Sequence, residues 1–174
     1  MFQNENKTKI MELFFDFPSE RFQLREISRK NKIAVTSVKK YIKDLTREGI
    51  VIKIEKGVYP SFMANQGEEK FRFYKKLNLI ERTYASGLIE YLNNKCLPNA
   101  IILFGSASCG EDLEGSDIDL FLYAKETKID LRKFSQKLNR KINLFFEEKF
   151  SKLSSELKNN ILNGVILGGY IKIF

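Results

Sequence analysis

Histidine is absent from the 174-residue chain. Its absence removes the commonest general base and, with it, every Ser-His-Asp or Cys-His scheme. Any catalysis must rest on carboxylates, a metal ion, lysine or tyrosine. Cysteine is scarce. Cys96 and Cys109 make no disulfide framework, and two thiols without a histidine are a poor zinc set, so buried or incidental thiols are the simpler reading. No apolar run approaches the ~20 residues that span a bilayer, so no membrane partner is expected. The opening MFQNENKTKI has no signal-peptide pattern, and a cytoplasmic protein is expected.

What is present suffices for a proper core: 43% hydrophobic residues and 15 phenylalanines. The length suits one domain or two small ones. The formal net charge of +8 has two readings of equal weight, a polyanionic partner and a lysine-rich solvated surface.

The most informative stretch is residues 101–123, IILFGSASCGEDLEGSDIDLFLY. It reads as an apolar strand, a Gly-Ser turn, a short helix, a second turn, and a strand carrying Asp117 and Asp119. Strand side chains alternate between faces, so the two carboxylates project together while Ile118, Leu120 and Leu122 project the other way. Paired carboxylates suit a hard cation such as Mg²⁺ with room for substrate phosphates. Gly105-Ser106 opens the helix, where glycine permits close backbone approach and the first N–H groups face an anion.

Gly105-Ser106, Gly110 and Ser116-Asp117-Ile118-Asp119-Leu120 together resemble the signature of the minimal nucleotidyltransferases of the DNA polymerase β superfamily. The resemblance covers residues 67–174. It implies a nucleoside triphosphate, ATP or another, as substrate and Mg²⁺ or Mn²⁺ as cofactor. Asp117 and Asp119 would hold metal and carry catalysis. Gly105, Ser106, Gly110 and Ser116 would serve the nucleotide, the first two at the β and γ phosphates. The family adds a third acid on a neighbouring strand. The matching place in KINLFF (141–146) is Asn143, a neutral residue, and Glu147 four positions on is the alternative ligand. The family's frequent basic residue in the Gly-Ser segment is also missing, with Ser108 and Cys109 in its place.

Residues 1–62 have the pattern of three helices and a hairpin. The expected helices are 6–15, 24–30 and about 36–48, the last capped by Thr36 or Ser37 and ending at Gly49. Val38, Ile42 and Leu45 recur at helical spacing. Residues 50–54 and 57–61 read as strands around Glu55-Lys56, and 61–67 as a linker. The stretch VTSVKKYIKDLTREGIV (35–51) resembles the recognition helix and wing of a winged helix-turn-helix domain. The resemblance implies DNA contacts from Thr36, Ser37, Lys39, Lys40 and Lys43 on the helix and Lys53 and Lys56 on the wing. Val35–Leu45 offers no Arg, Asn or Gln for bidentate base reading, and use of the domain for protein contact stays open. By analogy alone, a homodimer is among the partners.

The expected fold is therefore α+β: a winged helix-turn-helix over 1–62, then a nucleotidyltransferase-type mixed sheet packed by helices over 67–174. A long helix over about 68–94 would connect them. Further helices are expected at 129–140 and 150–160, with one or two strands over 161–174 interrupted by Gly168-Gly169. Two functions follow. One is a metal-dependent nucleotidyltransferase, moving AMP from ATP to a protein acceptor, with a DNA-binding domain. Such enzymes often act as antitoxins on a HEPN-type ribonuclease, a partner implied wholly by the resemblance. The other is a DNA-binding regulator whose degenerate nucleotidyltransferase domain senses nucleotide or binds a partner protein.

Overall fold

The computed structural model describes residues 5–172. The chain divides into two compact units between Lys75 and Lys76.

In the first unit, helix α1 (Glu5–Asp16) buries Ile10, Met11, Leu13, Phe14 and Phe15. Phe17 and Pro18 follow its end, and proline cannot continue the hydrogen-bond ladder. Helix α2 (Leu24–Asn31) begins where Glu26 accepts the Gln23 N–H at 3.4 Å. Helix α3 (Val35–Arg47) buries Val38, Ile42 and Leu45, the expected stripe. Its N-cap is Ala34, without a side-chain cap, so Thr36 and Ser37 lie inside the first turn and do not cap it. Strand β1 (Val51–Ile54) pairs antiparallel with β2 (Ser61–Ala64), from Val51↔Ala64 to Ile54↔Ser61.

The second strand is thus SFMA, a stretch that reads as a linker in the sequence, and residues 57–60 are loop. Alternation decided it. Phe62 and Ala64 are buried, while Val58 and Tyr59 are exposed despite their strand propensity. Phe22 and Phe62 exchange both backbone hydrogen bonds at 2.8 Å, which ties the hairpin to the helical part. The Phe22 ring meets Phe14 edge-on at 5.7 Å and Phe17 at 6.5 Å.

The expected single helix over 68–94 is two helices, α4 (Glu69–Ala85) and α5 (Leu88–Cys96). Gly87 between them has φ +83, a left-handed conformation that breaks the ladder. The Ser86 hydroxyl accepts the Leu88 N–H at 3.1 Å and donates to the Thr83 carbonyl at 2.7 Å, satisfying groups the break leaves over. Then come β3 (Ala100–Phe104), α6 (Ser106–Cys109), β4 (Ile118–Leu122), α7 (Arg132–Leu138), β5 (Ile142–Phe146), α8 (Ser155–Leu162) and β6 (Val165–Gly169).

The second unit's sheet has the order β5-β4-β3-β6. Strand β3 is antiparallel to β4 and β6, and β4 runs parallel to β5 through the α7 crossover. One face packs Ile101, Leu103, Ile118, Leu120 and Leu122 with Leu88 and Leu92 of α5 and Phe134 and Leu138 of α7. The other carries Ile102, Phe104 and Phe121 with Ile161 of α8. Ile161 and Leu162, expected in a terminal strand, belong to α8, which Ser154 caps by accepting the Leu157 N–H at 3.2 Å. Residues 150–152, expected in that helix, form a separate 3₁₀ turn. Positions 173 and 174 of the expected terminal strand lie outside the described residues.

Phe22→Ala removes a fully buried ring and should destabilise the first unit by about 3–5 kcal/mol. Urea unfolding measures it, and a loss below about 1 kcal/mol would contradict this packing.

Candidate functional site

The site lies at the N-terminal end of β4. Asp119 stands between two neighbours in the ladder, Phe104 of β3 and Asn143 of β5. Asp117 lies two positions earlier on the same side, and Ile118, Leu120 and Leu122 are buried on the other. The convergence is direct: Asn143 Nδ2 donates to Asp117 Oδ2 at 3.0 Å and to Asp119 Oδ1 at 2.9 Å. Lys141 Nζ adds a hydrogen bond to Asp117 Oδ2 at 3.3 Å, largely in solvent and so a weak pair.

The amide of Asn143 holds the Asp117 carboxyl below its ordinary range. Desolvation opposes this, and Lys141 and the Arg140 charge reinforce it. Asp117 is therefore ready as an anion at neutral pH.

Gly105 caps the site from β3. Its φ is +72, and a Cβ there would lie 3.1 Å from Asp119 Oδ2. A side chain there would crowd that carboxylate oxygen by a few tenths of an ångström, and the positive φ itself calls for glycine. The short α6 is closed by its own bonds. Ser108 Oγ donates to the Gly105 carbonyl at 2.7 Å, and the Glu111 N–H reaches Ser106 O at 3.0 Å around Gly110. Ser106 is exposed. Ser116 shapes the turn into β4: its hydroxyl accepts the Leu113 N–H at 2.9 Å, and its own N–H donates to Leu113 O at 3.1 Å.

Arg140 is the residue that sequence reasoning missed. Its Nε donates to Ser116 O at 2.7 Å, its Nη2 to Asp117 O at 3.0 Å, and its Nη1 to Asp112 Oδ2 at 2.8 Å. Asp112 is buried and Arg140 is largely covered, with side chains 5% and 13% exposed. One planar guanidinium thus fixes the backbone on both sides of the Asp117 amide and anchors it to Asp112. No local pattern could have paired Arg140 with Asp112, 28 positions away.

Glu147 is not part of the site. Its N–H bonds Leu122 O at 3.3 Å, which puts it past the far end of β4. It stands four positions after Asn143, about 13 Å along an extended strand. Its carboxylate accepts the Lys149 N–H at 2.9 Å. Among the described residues no three His, Cys, Asp or Glu side chains are grouped to hold a metal. The carboxylates that converge are Asp117 and Asp119, and the group between them is the neutral amide of Asn143.

Residues 86–170 match the family model described as polymerase beta, nucleotidyltransferase. At family level the match supports a nucleotidyltransferase domain running from the α4–α5 break through β6. No curated protein and no solved structure matches the chain. The nucleotidyltransferase match contains Gly105, Ser106, Gly110, Ser116, Asp117, Asp119 and Asn143, and leaves residues 5–85 outside it.

In the first unit, the seven residues named from the winged-helix resemblance are spread over α3 and the hairpin. Thr36, Lys39, Lys40 and Lys43 are exposed and Ser37 is half-buried. The three α3 lysines make no ion pair among the described residues. Lys53 is paired with Glu55, which leaves Lys56 as the unpaired cation of the two named on the hairpin. Arg25 and Arg29 of α2 line a groove with Val35 at the start of α3, two cations the sequence reading did not single out.

Arg140→Ala removes the cation facing the buried Asp112 carboxylate. The expected cost is about 3–5 kcal/mol by denaturant unfolding, reduced when Asp112→Asn is added. Equal losses in the single and double variants would show that the pair does not anchor the turn.

Proposed function

We propose that the second unit transfers a nucleoside monophosphate from a nucleoside triphosphate to an acceptor hydroxyl, in a chain whose first unit binds DNA. The observation that carries the reading is the convergence of Asp117 and Asp119 beneath Gly105, inside the segment matching the nucleotidyltransferase family. Asp117 and Asp119 would hold Mg²⁺ or Mn²⁺, which when bound supplies positive charge against the triphosphate and its leaving group. The Gly105-Ser106 backbone would receive the terminal phosphates, and no side chain at Gly105 obstructs them. Gly110 and Ser116 keep the flanking turns closed, and Arg140 holds Asp117 in place. The acceptor oxygen forms a phosphoester bond to the α-phosphorus as the α–β phosphoanhydride bond breaks. Pyrophosphate leaves and the hydroxyl proton goes to solvent. ATP as donor and a protein acceptor, such as a ribonuclease partner controlled as by an antitoxin, are the specific form of this reading.

For the first unit, three helices followed by an antiparallel hairpin, with unpaired Lys39, Lys40 and Lys43 on α3, support a winged helix-turn-helix that contacts phosphates. Arg25 and Arg29 extend the cationic surface. A second reading, favoured by the neutral Asn143, is a DNA-binding regulator whose nucleotidyltransferase domain binds nucleotide without turning it over.

Incubation with α-labelled ATP, Mn²⁺ and a lysate of the source organism should label a protein band, and the Asp117→Ala/Asp119→Ala variant should lose it. Unchanged label in that variant would remove the pair from the chemistry. Bound but untransferred ATP would select the regulator reading.

Replacing Lys39, Lys40 and Lys43 with Ala should weaken DNA binding at low salt and flatten its log–log salt slope by up to about 3. No DNA binding by the parent protein in low salt would end the DNA assignment.

A further inference from the structure

We propose that Asn143 makes this a one-cation site that keeps its carboxylate geometry without metal. The proposal rests on the reading of Asp117 and Asp119 as the cation-holding part of the nucleotidyltransferase site.

Oxygens of both carboxylates lie within 3.0 Å of one atom, Asn143 Nδ2. Two carboxylates that close repel each other, and a cation or a proton is the ordinary remedy. Here the amide gives one N–H to each. The parallel register Asp119↔Asn143 puts it there, on the strand beside β4 and facing the same way. The amide is neutral and intramolecular, and Lys141 Nζ adds only a largely solvated contact to Asp117 Oδ2 at 3.3 Å, so the pair is held with no ion bound. A carboxylate at 143 would do the reverse and add a third negative charge to the cluster.

The same amide decides what the site can accept. A cation between the carboxylates must displace N–H donors from the oxygens it needs. Turned about its last bond, the side chain offers one neutral carbonyl oxygen. Two divalent ions would bring four positive charges against two negative ones. The nearest acid further along β5, Glu147, is at the wrong end of the strand and engaged by Lys149. One cation is enough to seat a triphosphate. The acceptor hydroxyl then meets no second ion to acidify it, so this site binds nucleotide more readily than it transfers it.

The test counts Mn²⁺ on the full chain by the electron paramagnetic signal of the free ion, beside thermal unfolding in EDTA and in Mn²⁺. The parent should take one ion, and Asn143→Asp two, the first bound roughly tenfold more tightly or better. In EDTA, Asn143→Asp should melt below the parent, and Mn²⁺ should raise its midpoint more. Asn143→Ala, lacking both the competing donors and a third ligand, should bind its one ion at least as tightly as the parent. Two ions or none on the parent overturns the proposal, as does an Asn143→Asp variant indistinguishable from the parent. An Asn143→Ala variant binding roughly tenfold more weakly would make Asn143 a ligand and not a competitor, and also overturns it. Should Asn143→Asp fail to fold, the parent count and Asn143→Ala decide alone. Absent nucleotidyl transfer alongside a one-ion count that disappears in Asp117→Ala/Asp119→Ala would retire the transfer reading and leave this one standing. A count unaffected by that double variant would end both.

Discussion

The parallel pairing of β4 with β5 is the constraint on which the site depends. It sets Asn143 against Asp119, and it begins where the Ile118 N–H meets Lys141 O at 2.8 Å. Arg140 stands one residue before that bond and grips the backbone on both sides of Asp117 through two carbonyls. Parallel strands need a crossover, and here α7 supplies it, with Phe134 and Leu138 buried against the sheet. The helix that makes the pairing possible thus delivers Arg140, Lys141 and Asn143 to the acidic turn in one piece.

The sheet divides its labour by face. Strand β4 buries Ile118, Leu120 and Leu122 on the side packed by α5 and α7, and presents Asp119 and Phe121 on the other. Phe104 and Phe121 then form the apolar floor beyond the carboxylates. The period of two along one strand separates the chemistry from the core that holds it rigid. A one-residue slip would exchange the two sets, so burial of three large aliphatic side chains guards the position of the aspartates.

Much of this was legible in the sequence where the cause is local. The turn–strand unit around Asp117 and Asp119, the stripe Val38, Ile42 and Leu45, and the strand expected over 141–146 and formed over 142–146 all follow from short periods and turn residues. The misplacements share a different cause. Valine and tyrosine at 58 and 59 carry strand propensity, yet the strand is SFMA because Phe62 pairs with Phe22 forty residues earlier. The helical periodicity of 68–94 runs through Gly87, but the chain turns there, and only the bonds of Ser86 to both sides reveal how the turn is satisfied.

By itself the sequence determined which chemistry was available: no imidazole, two carboxylates two residues apart, glycines beside them, and a neutral residue on the third strand. These are properties of residue identity and of spacings shorter than one element. Only the tertiary structure decided that Asn143 reaches both carboxylates, that Glu147 reaches neither, and that Arg140 locks the turn through buried Asp112. Each of these joins positions more than twenty residues apart, and strand register and desolvation, not local pattern, select such partners.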